Sequence, residues 1–360
     1  MRVKFTDVFL DETKLGHKIQ ASEYQSFGNY PIIGQGQSQI AGYTNVEDGF
    51  FSDVPAIIFG DHTRVIKYVD TPFFLGADGV KVLKSKLLDV DYKYLFYCLQ
   101  NVKIPDTGYN RHFKWLKVAE IPLPPLDEQR RIAAVLDKVS DLIAKRWEQL
   151  DKLDELVKAR FVEMFGDPSA NSHWSTHKLS ELGELNRGIS KHRPRNDPKL
   201  LGGPYPLIQT GDVSNSGLYI QNYSATYSEF GLAQSRLWKK GTLCITIAAN
   251  IAQTSILAFD ACFPDSVVGF LPGEKTNVVF VHYWFSFFQK ILEEQAPQVA
   301  QKNINLKILS DLDVIVPPYN LQADFSDFVR QAEKSKLTIQ QSLDKLEVLK
   351  KALMQQYFGT

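Results

Sequence analysis

Leu150-Asp151-Lys152-Leu153-Asp154-Glu155-Leu156-Val157-Lys158-Ala159 returns, little changed, as Leu343-Asp344-Lys345-Leu346-Glu347-Val348-Leu349-Lys350-Lys351-Ala352. The copies are 193 residues apart, and the same offset aligns Pro124-Pro125 with Pro317-Pro318, Gln129 with Gln322, and Phe165-Gly166 with Phe358-Gly359. It also aligns Asn110 with Asn303 and Lys114 with Lys307, without a gap from residue 110 to residue 167. An internal repeat of this length sets the architecture. Each copy reads as a strand-like segment, a double proline that neither a helix interior nor a central strand tolerates, and one long helix. Asp127 and Asn320 fall where an N-cap is wanted. The apolar ladder of the first helix is Ile132, Leu136, Val139, Ile143, Leu150, Leu153, Val157, Phe161 and Met164, interrupted by Arg146. That of the second is Phe325, Val329, Ala332, Ile339, Leu343, Leu346, Leu353 and Tyr357. Steps of three and four make a narrow seam that packs helix on helix, so an antiparallel coiled coil is expected, with each helix roughly 57 Å long.

The segments ahead of the helices echo each other too. Lys4-Phe5-Thr6-Asp7-Val8 matches Lys178-Leu179-Ser180-Glu181-Leu182, Tyr30-Pro31-Ile32-Ile33 matches Tyr205-Pro206-Leu207-Ile208, and Asp91 to Phe96 is aligned with Val281 to Phe285. Short β-branched and aromatic runs between Gly and Pro turns make each a compact head of mixed α/β structure. The expected fold is therefore α+β and pseudo-twofold: a head over 1–122, a helical region over 123–168, a second head over 169–315 and a helical region over 316–360.

Composition narrows the function. The chain has 360 residues, 41 basic and 41 acidic, and no apolar run long enough to span a bilayer. Residues 1–116 balance 13 basic against 13 acidic groups, whereas 169–307 carry 13 against 10. A neutral chain of this kind would need a partner for much of any phosphate contact. The N-terminus lacks a signal-peptide core, and Cys98, Cys244 and Cys262 have no CxxC spacing, so a reduced, cytoplasmic protein is expected.

Ile121-Pro122-Leu123-Pro124-Pro125-Leu126-Asp127-Glu128-Gln129-Arg130-Arg131-Ile132, running through the repeated helix motif to Phe165-Gly166-Asp167, resembles the central repeat of type I restriction–modification specificity subunits. The second copy departs from it, with Leu321 in place of Glu128 and Ala323-Asp324 in place of Arg130-Arg131. The resemblance implies two target-recognition domains, each reading half of a bipartite double-stranded DNA target, with the helices as a ruler. It implies two methyltransferase subunits docked along the helices and motor–nuclease subunits joining for restriction. S-adenosylmethionine, ATP and Mg would serve those partners, and no cofactor is assigned to this chain. Partner docking is expected at Gln129, Arg130, Arg131, Trp147, Phe165 and Phe358.

The DNA-binding candidates are loops. Arg187, Lys191, His192, Arg193 and Arg195 form the densest basic cluster, and Pro194 keeps it from being helical, so its side chains are expected in solvent, free for phosphate and guanine. Gln209, Thr210 and Asp212 follow an apolar strand, where an amide suits adenine and a carboxylate suits cytosine. In the first head Gln35, Gln37 and Gln39 lie in a glycine-containing loop that lacks any nucleotide-binding signature. Asn110, Arg111 and Lys114, and their repeat neighbours Lys302 and Asn303, are assigned to the DNA backbone. Val316-Pro317-Pro318-Tyr319 lacks the leading Asn or Asp of a methyltransferase tetrapeptide and reads as a linker, and His173 with His177 has no third ligand, so no metal site is assigned. No nuclease cluster, Walker loop or nucleophile elbow is present. A single-chain restriction or methyltransferase enzyme, and a coiled-coil scaffold without DNA affinity, are the alternatives.

Overall fold

The double prolines sit where both long helices begin. The computed structural model describes residues 1–76, 78–168, 173–248, 251–288 and 304–359. It divides into two compact units, one of Met1–Glu148 with Ile339–Thr360 and one of Gln149–Thr338, so each unit takes a head and a part of each long helix.

Through the first head and the helix after it the chain runs β1 (Arg2–Lys4), α1 (Phe5–Val8), β2 (Phe9–Asp11), β3 (Tyr30–Ile33), β4 (Gly42–Thr44), β5 (Ala56–Gly60), β6 (Ile66–Val69), β7 (Phe74–Leu75), β8 (Val80–Ser85), α2 (Tyr92–Gln100), α3 (Phe113–Lys117), β9 (Glu120–Pro122) and α4 (Leu126–Phe165). The main sheet has the order β2-β8-β5-β6, and a second has the order β4-β3-β7. β5 is apolar at nearly every residue because both its faces are covered: Ile57 and Phe59 join the core under α2, while Ala56 and Ile58 join a core on the other side.

The second head and its helix repeat the plan with β10 (Thr176–Lys178), β11 (Gly183–Arg187), β12 (Leu201–Leu207), α5 (Thr210–Ser214), β13 (Tyr219–Ile220), β14 (Ala225–Tyr227), α6 (Glu229–Ala233), β15 (Leu243–Thr246), β16 (Thr254–Leu257), β17 (Val267–Pro272), α7 (Val278–Phe285), α8 (Leu306–Ser310), β18 (Asp313–Ile315) and α9 (Tyr319–Phe358). Its sheet order is β11-β17-β15-β16-β13, so β13, together with α5, is an addition relative to the first head. The repeat holds down to single hydrogen bonds. Phe5 N donates to Ala119 O, and Leu179 N donates to Leu312 O, both at 2.9 Å. β1 pairs with β9 as β10 pairs with β18. One alignment changes: Asp91 caps α2 by accepting from Tyr94 N, and Asn277 caps α7 by accepting from Phe280 N, so Asp91 corresponds to Asn277 and not to Val281.

Both helices start one residue earlier than the expected caps, at Leu126 and Tyr319, leaving Asp127 and Asn320 inside the first turn. The preceding proline has a φ already suited to helix entry and no N–H to orphan. The amides of Gln129 and Gln322 close the joins. Gln129 accepts from Asp91 N and donates to Pro124 O; Gln322 accepts from Thr276 Oγ1 and Asn277 N and donates to Lys275 O and Pro317 O. Pro317 thus belongs to a structural linker.

The helix segments pair antiparallel within each unit. In the first, Arg131 stacks over Tyr357 and Arg146 Nε donates to Ser342 Oγ at 3.2 Å. In the second, Asp154 pairs with Lys336 and Phe161 packs edge-on against Phe325. Ile132, Leu136, Val157 and Phe161 are buried, whereas Ile143, Leu150 and Leu153 are only half-buried, as a bare two-helix seam allows.

Candidate nucleic-acid interface

In the first head three loops are tied by one side chain. Gln35 donates from Nε2 to Asp78 O at 3.0 Å, and its Oε1 accepts from His62 N at 3.2 Å. Lys67, buried on β6, donates to Gly34 O at 2.7 Å and Ser38 O at 2.6 Å, holding the glutamine loop from beneath. Burial pushes the pKa of that ammonium down. Gln39 is spent as well, donating to Tyr68 O. Base reading by the amides of Gln35 and Gln39 is therefore not carried forward, because those amides build the loop. Gln37 is exposed and has no hydrogen bond to any described residue.

A second set of bonds fixes the neighbouring turn. Buried Asp61 accepts from Phe113 N at 2.7 Å, and its carbonyl accepts from His112 N at 2.8 Å. This leaves His62 stacked on exposed Tyr109, with ring centroids 4.7 Å apart. Asn110 is held by Thr107, Lys114 lies over the Trp115 ring at 5.5 Å, and Arg111 is exposed. Lys18, at 2.8 Å, holds the Asp78 carboxyl below its usual range, with Arg111 adding to the effect. Gln37, His62, Tyr109 and Arg111 thus form a near-neutral, partly aromatic surface on a rigid base.

The second head is different. Arg187 donates from Nε and Nη2 to Asp265 O at 2.9 and 2.6 Å; Arg195 pairs with the Asp265 carboxylate, and Arg193 Nη2 lies 3.8 Å from it. Arg193 Nη1 also donates to Ser190 O and His192 O. His192 Nε2 sits 2.8 Å from Asp197, and Gln234 Oε1 accepts from the backbone of both Lys191 and His192. Beyond Arg187, the last residue of β11, the segment is a loop, as expected. Its arginines are not loose in solvent, because a carboxylate 70 residues away in sequence gathers them. Lys191 alone keeps an exposed ammonium without a described acceptor. Gly188 makes the approach: a Cβ there would stand 2.3 Å from Phe263 O.

Gln209 and Thr210 lie at the start of α5, where Asp212 turns back to accept from Gln209 N at 2.8 Å and from Ser224 Oγ at 3.2 Å. That cap uses the carboxylate offered for cytosine. Gln209 remains exposed. Lys302 and Asn303 lie outside the described residues.

Of the docking candidates, Gln129 (2% exposed), Phe165 (1%) and Phe358 (4%) are interior, the phenylalanines packing on Phe280 and Tyr94. Arg130, Arg131 and Trp147 are exposed.

Two residues that organise this surface had a signal in the sequence. Strand alternation puts Lys67 on the same face as Val69, an inward cation that demands acceptors, and Asp61-His62-Thr63 follows a fully apolar strand. Asp265 had none.

A family model described as type I restriction modification DNA specificity domain matches residues 2–154 and 171–350. The chain belongs to that family. It is a specificity subunit, the non-catalytic DNA-recognition component of type I restriction–modification systems, in which it assembles with other subunits. The putative MjaX specificity subunit of Methanocaldococcus jannaschii is 23% identical, over 97% of this chain and 83% of its own length. The EcoR124I/EcoR124II specificity subunit of Escherichia coli is 22% identical, over 84% and 79% respectively. The fold is shared with the type I S subunit from M. genitalium, at 18% identity and a TM-score of 0.61 over 98% of this chain and 94% of that one. A structure titled for complex assembly and conformational transition of the type I system aligns at 18% identity and a TM-score of 0.53, over 99% and 97%. Among the described helices none is long and apolar enough to cross a membrane.

Proposed function

We propose that this specificity subunit reads an asymmetric bipartite sequence in double-stranded DNA, one half with each head, and that the long helices set the gap. Outer helix faces carrying Arg130, Arg131 and Trp147 dock two methyltransferase subunits, and motor–nuclease subunits join for restriction, in the cytoplasm. Adenine methylation and cleavage belong to those partners, which use S-adenosylmethionine, ATP and Mg. One observation supports this most: the two heads share a framework, with the same strand pairing and the same cap and anchor bonds, yet carry unlike loops. The first presents Gln37, His62, Tyr109 and Arg111; the second presents Lys191, Arg193, Arg195 and Gln209. Two frames with different loops suit two different half-sites, because sequence is read by loop side chains while the frame sets their reach. Two head copies on one chain also suit one methyltransferase apiece.

The test is reconstitution with the partner methyltransferase subunit. A stable complex with two methyltransferase subunits per chain is expected, and its footprint should show two protected patches separated by an unprotected gap. A single continuous patch, or no stable complex, would contradict the reading.

A further inference from the structure

Asp265 is an anomaly on a surface proposed to meet phosphates. By charge alone a carboxylate there repels DNA, and its removal should tighten binding to any sequence. Its contacts argue the opposite. Its carbonyl takes both forks of Arg187, its carboxylate takes Arg195, and Arg193 stands 3.8 Å away. The side chains of Arg193 and Arg195 stay 54% and 48% exposed; Arg193 Nη1 is engaged by Ser190 O and His192 O, and its Nε carries no described hydrogen bond. A free arginine loses rotamer entropy when it is fixed on a ligand. Here much of that ordering is complete beforehand. The framework enforces it, since Gly188 N donates to Val267 O at 2.8 Å and no side chain at 188 could let the two loops approach so closely.

We propose that Asp265 is a positioning residue for DNA recognition: its carboxylate holds Arg195 beside Arg193, which Ser190 O and His192 O already fix, as a preset pair of guanidinium groups, so one negative charge raises affinity for the cognate half-site. This rests on the reading that the second head contacts DNA, and it adds which pair discriminates and what holds it. Among the described residues the first head has no such cluster, and Lys81 there pairs with Asp11 at 2.9 Å.

The experiment uses the full chain assembled with its methyltransferase subunits and two labelled duplexes. One carries the motif whose adenines the wild-type complex methylates; in the other, the half-site that changes when residues 169–307 are exchanged has been scrambled. Asp265→Asn is expected to weaken cognate binding about tenfold, the scale of one bidentate contact, and to leave scrambled binding equal or tighter. Asp265→Glu should restore most of the loss, which a merely structural role would not do. Arg195→Lys keeps the charge, loses the fork and leaves the Asp265–Arg187 bonds in place. It should show the same selective loss, and it decides the matter if Asp265→Asn fails to fold. Equal tightening of both duplexes by Asp265→Asn would overturn the proposal while leaving DNA contact by this loop intact. Wild-type cognate affinity in the double variant Arg193→Ala/Arg195→Ala would overturn both the proposal and that contact.

Discussion

Gln322 makes four hydrogen bonds with no exposed surface, and Gln129 makes two at the equivalent position. Removing such an amide orphans its buried partners, at about 1–3 kcal/mol for each group left unsatisfied and inaccessible to water. Gln322→Ala should therefore cost the second unit more than Gln129→Ala costs the first, about 3 against about 1.5 kcal/mol, as read by urea unfolding. Equal costs would mean that water replaces the lost partners. His282 carries a pH dependence. Burial pushes its imidazole down to about 4, with the charge of Lys336 adding to the shift. Between that value and the ordinary 6.5 the unfolded chain binds the proton and the folded chain does not, so stability falls as pH falls through this window. His282 as a residue is only half-buried, which leaves on the order of 2 kcal/mol for the effect. His282→Gln should remove that component from a stability titration between pH 7 and 4.5, and an unchanged slope would rule the residue out. At this scale the sequence was least legible. It showed that Gln35, Gln39, Arg193 and Arg195 stand in loops, whereas Asp212 falls in α5 and Arg187 ends β11; each acts through a partner brought in by the fold, and nothing near Arg195 in sequence points to Asp265.

The long helices were the most legible elements, because a seam of threes and fours repeated at a constant offset has one economical packing. Their starts lie two residues ahead of those the expected caps imply, since a proline can serve as the cap while a glutamine three residues inside the helix closes the join. Asp91 was placed against Val281 because aromatic content was matched; what corresponds is the capping geometry, Asp91 with Asn277. The seam and the outer face should respond differently to truncation. Leu343 is fully buried and Trp147 is 49% exposed. Leu343→Ala should cost about 2–5 kcal/mol of stability. Trp147→Ala should change stability by less than about 0.5 kcal/mol and yet weaken capture of the methyltransferase subunit in a pull-down. Unchanged capture would remove Trp147 from the docking face.

For the molecule as a whole, neutral net charge sets the terms of DNA binding. A chain with 41 basic and 41 acidic residues, whose arginines are partly committed to Asp265, has little long-range attraction for DNA. The isolated chain should bind a cognate duplex weakly and lose most of that binding between 50 and 200 mM salt, while the assembled complex stays bound. Tight, salt-resistant binding by the chain alone would contradict this. The duplicated plan of heads and helices was readable at this scale; the unlike character of the two surfaces showed as a glutamine loop in the first head against a basic cluster and a small charge excess in the second. The central claim is that the two heads read separate halves of one target. The most direct measurement is a map of modified adenines in DNA from cells carrying this chain with its methyltransferase, compared with cells lacking this chain. A two-part motif should appear only with the chain, and exchange of residues 1–116 or 169–307 should change one part and leave the other. No chain-dependent motif, or one in which either exchange alters both parts, would contradict the account.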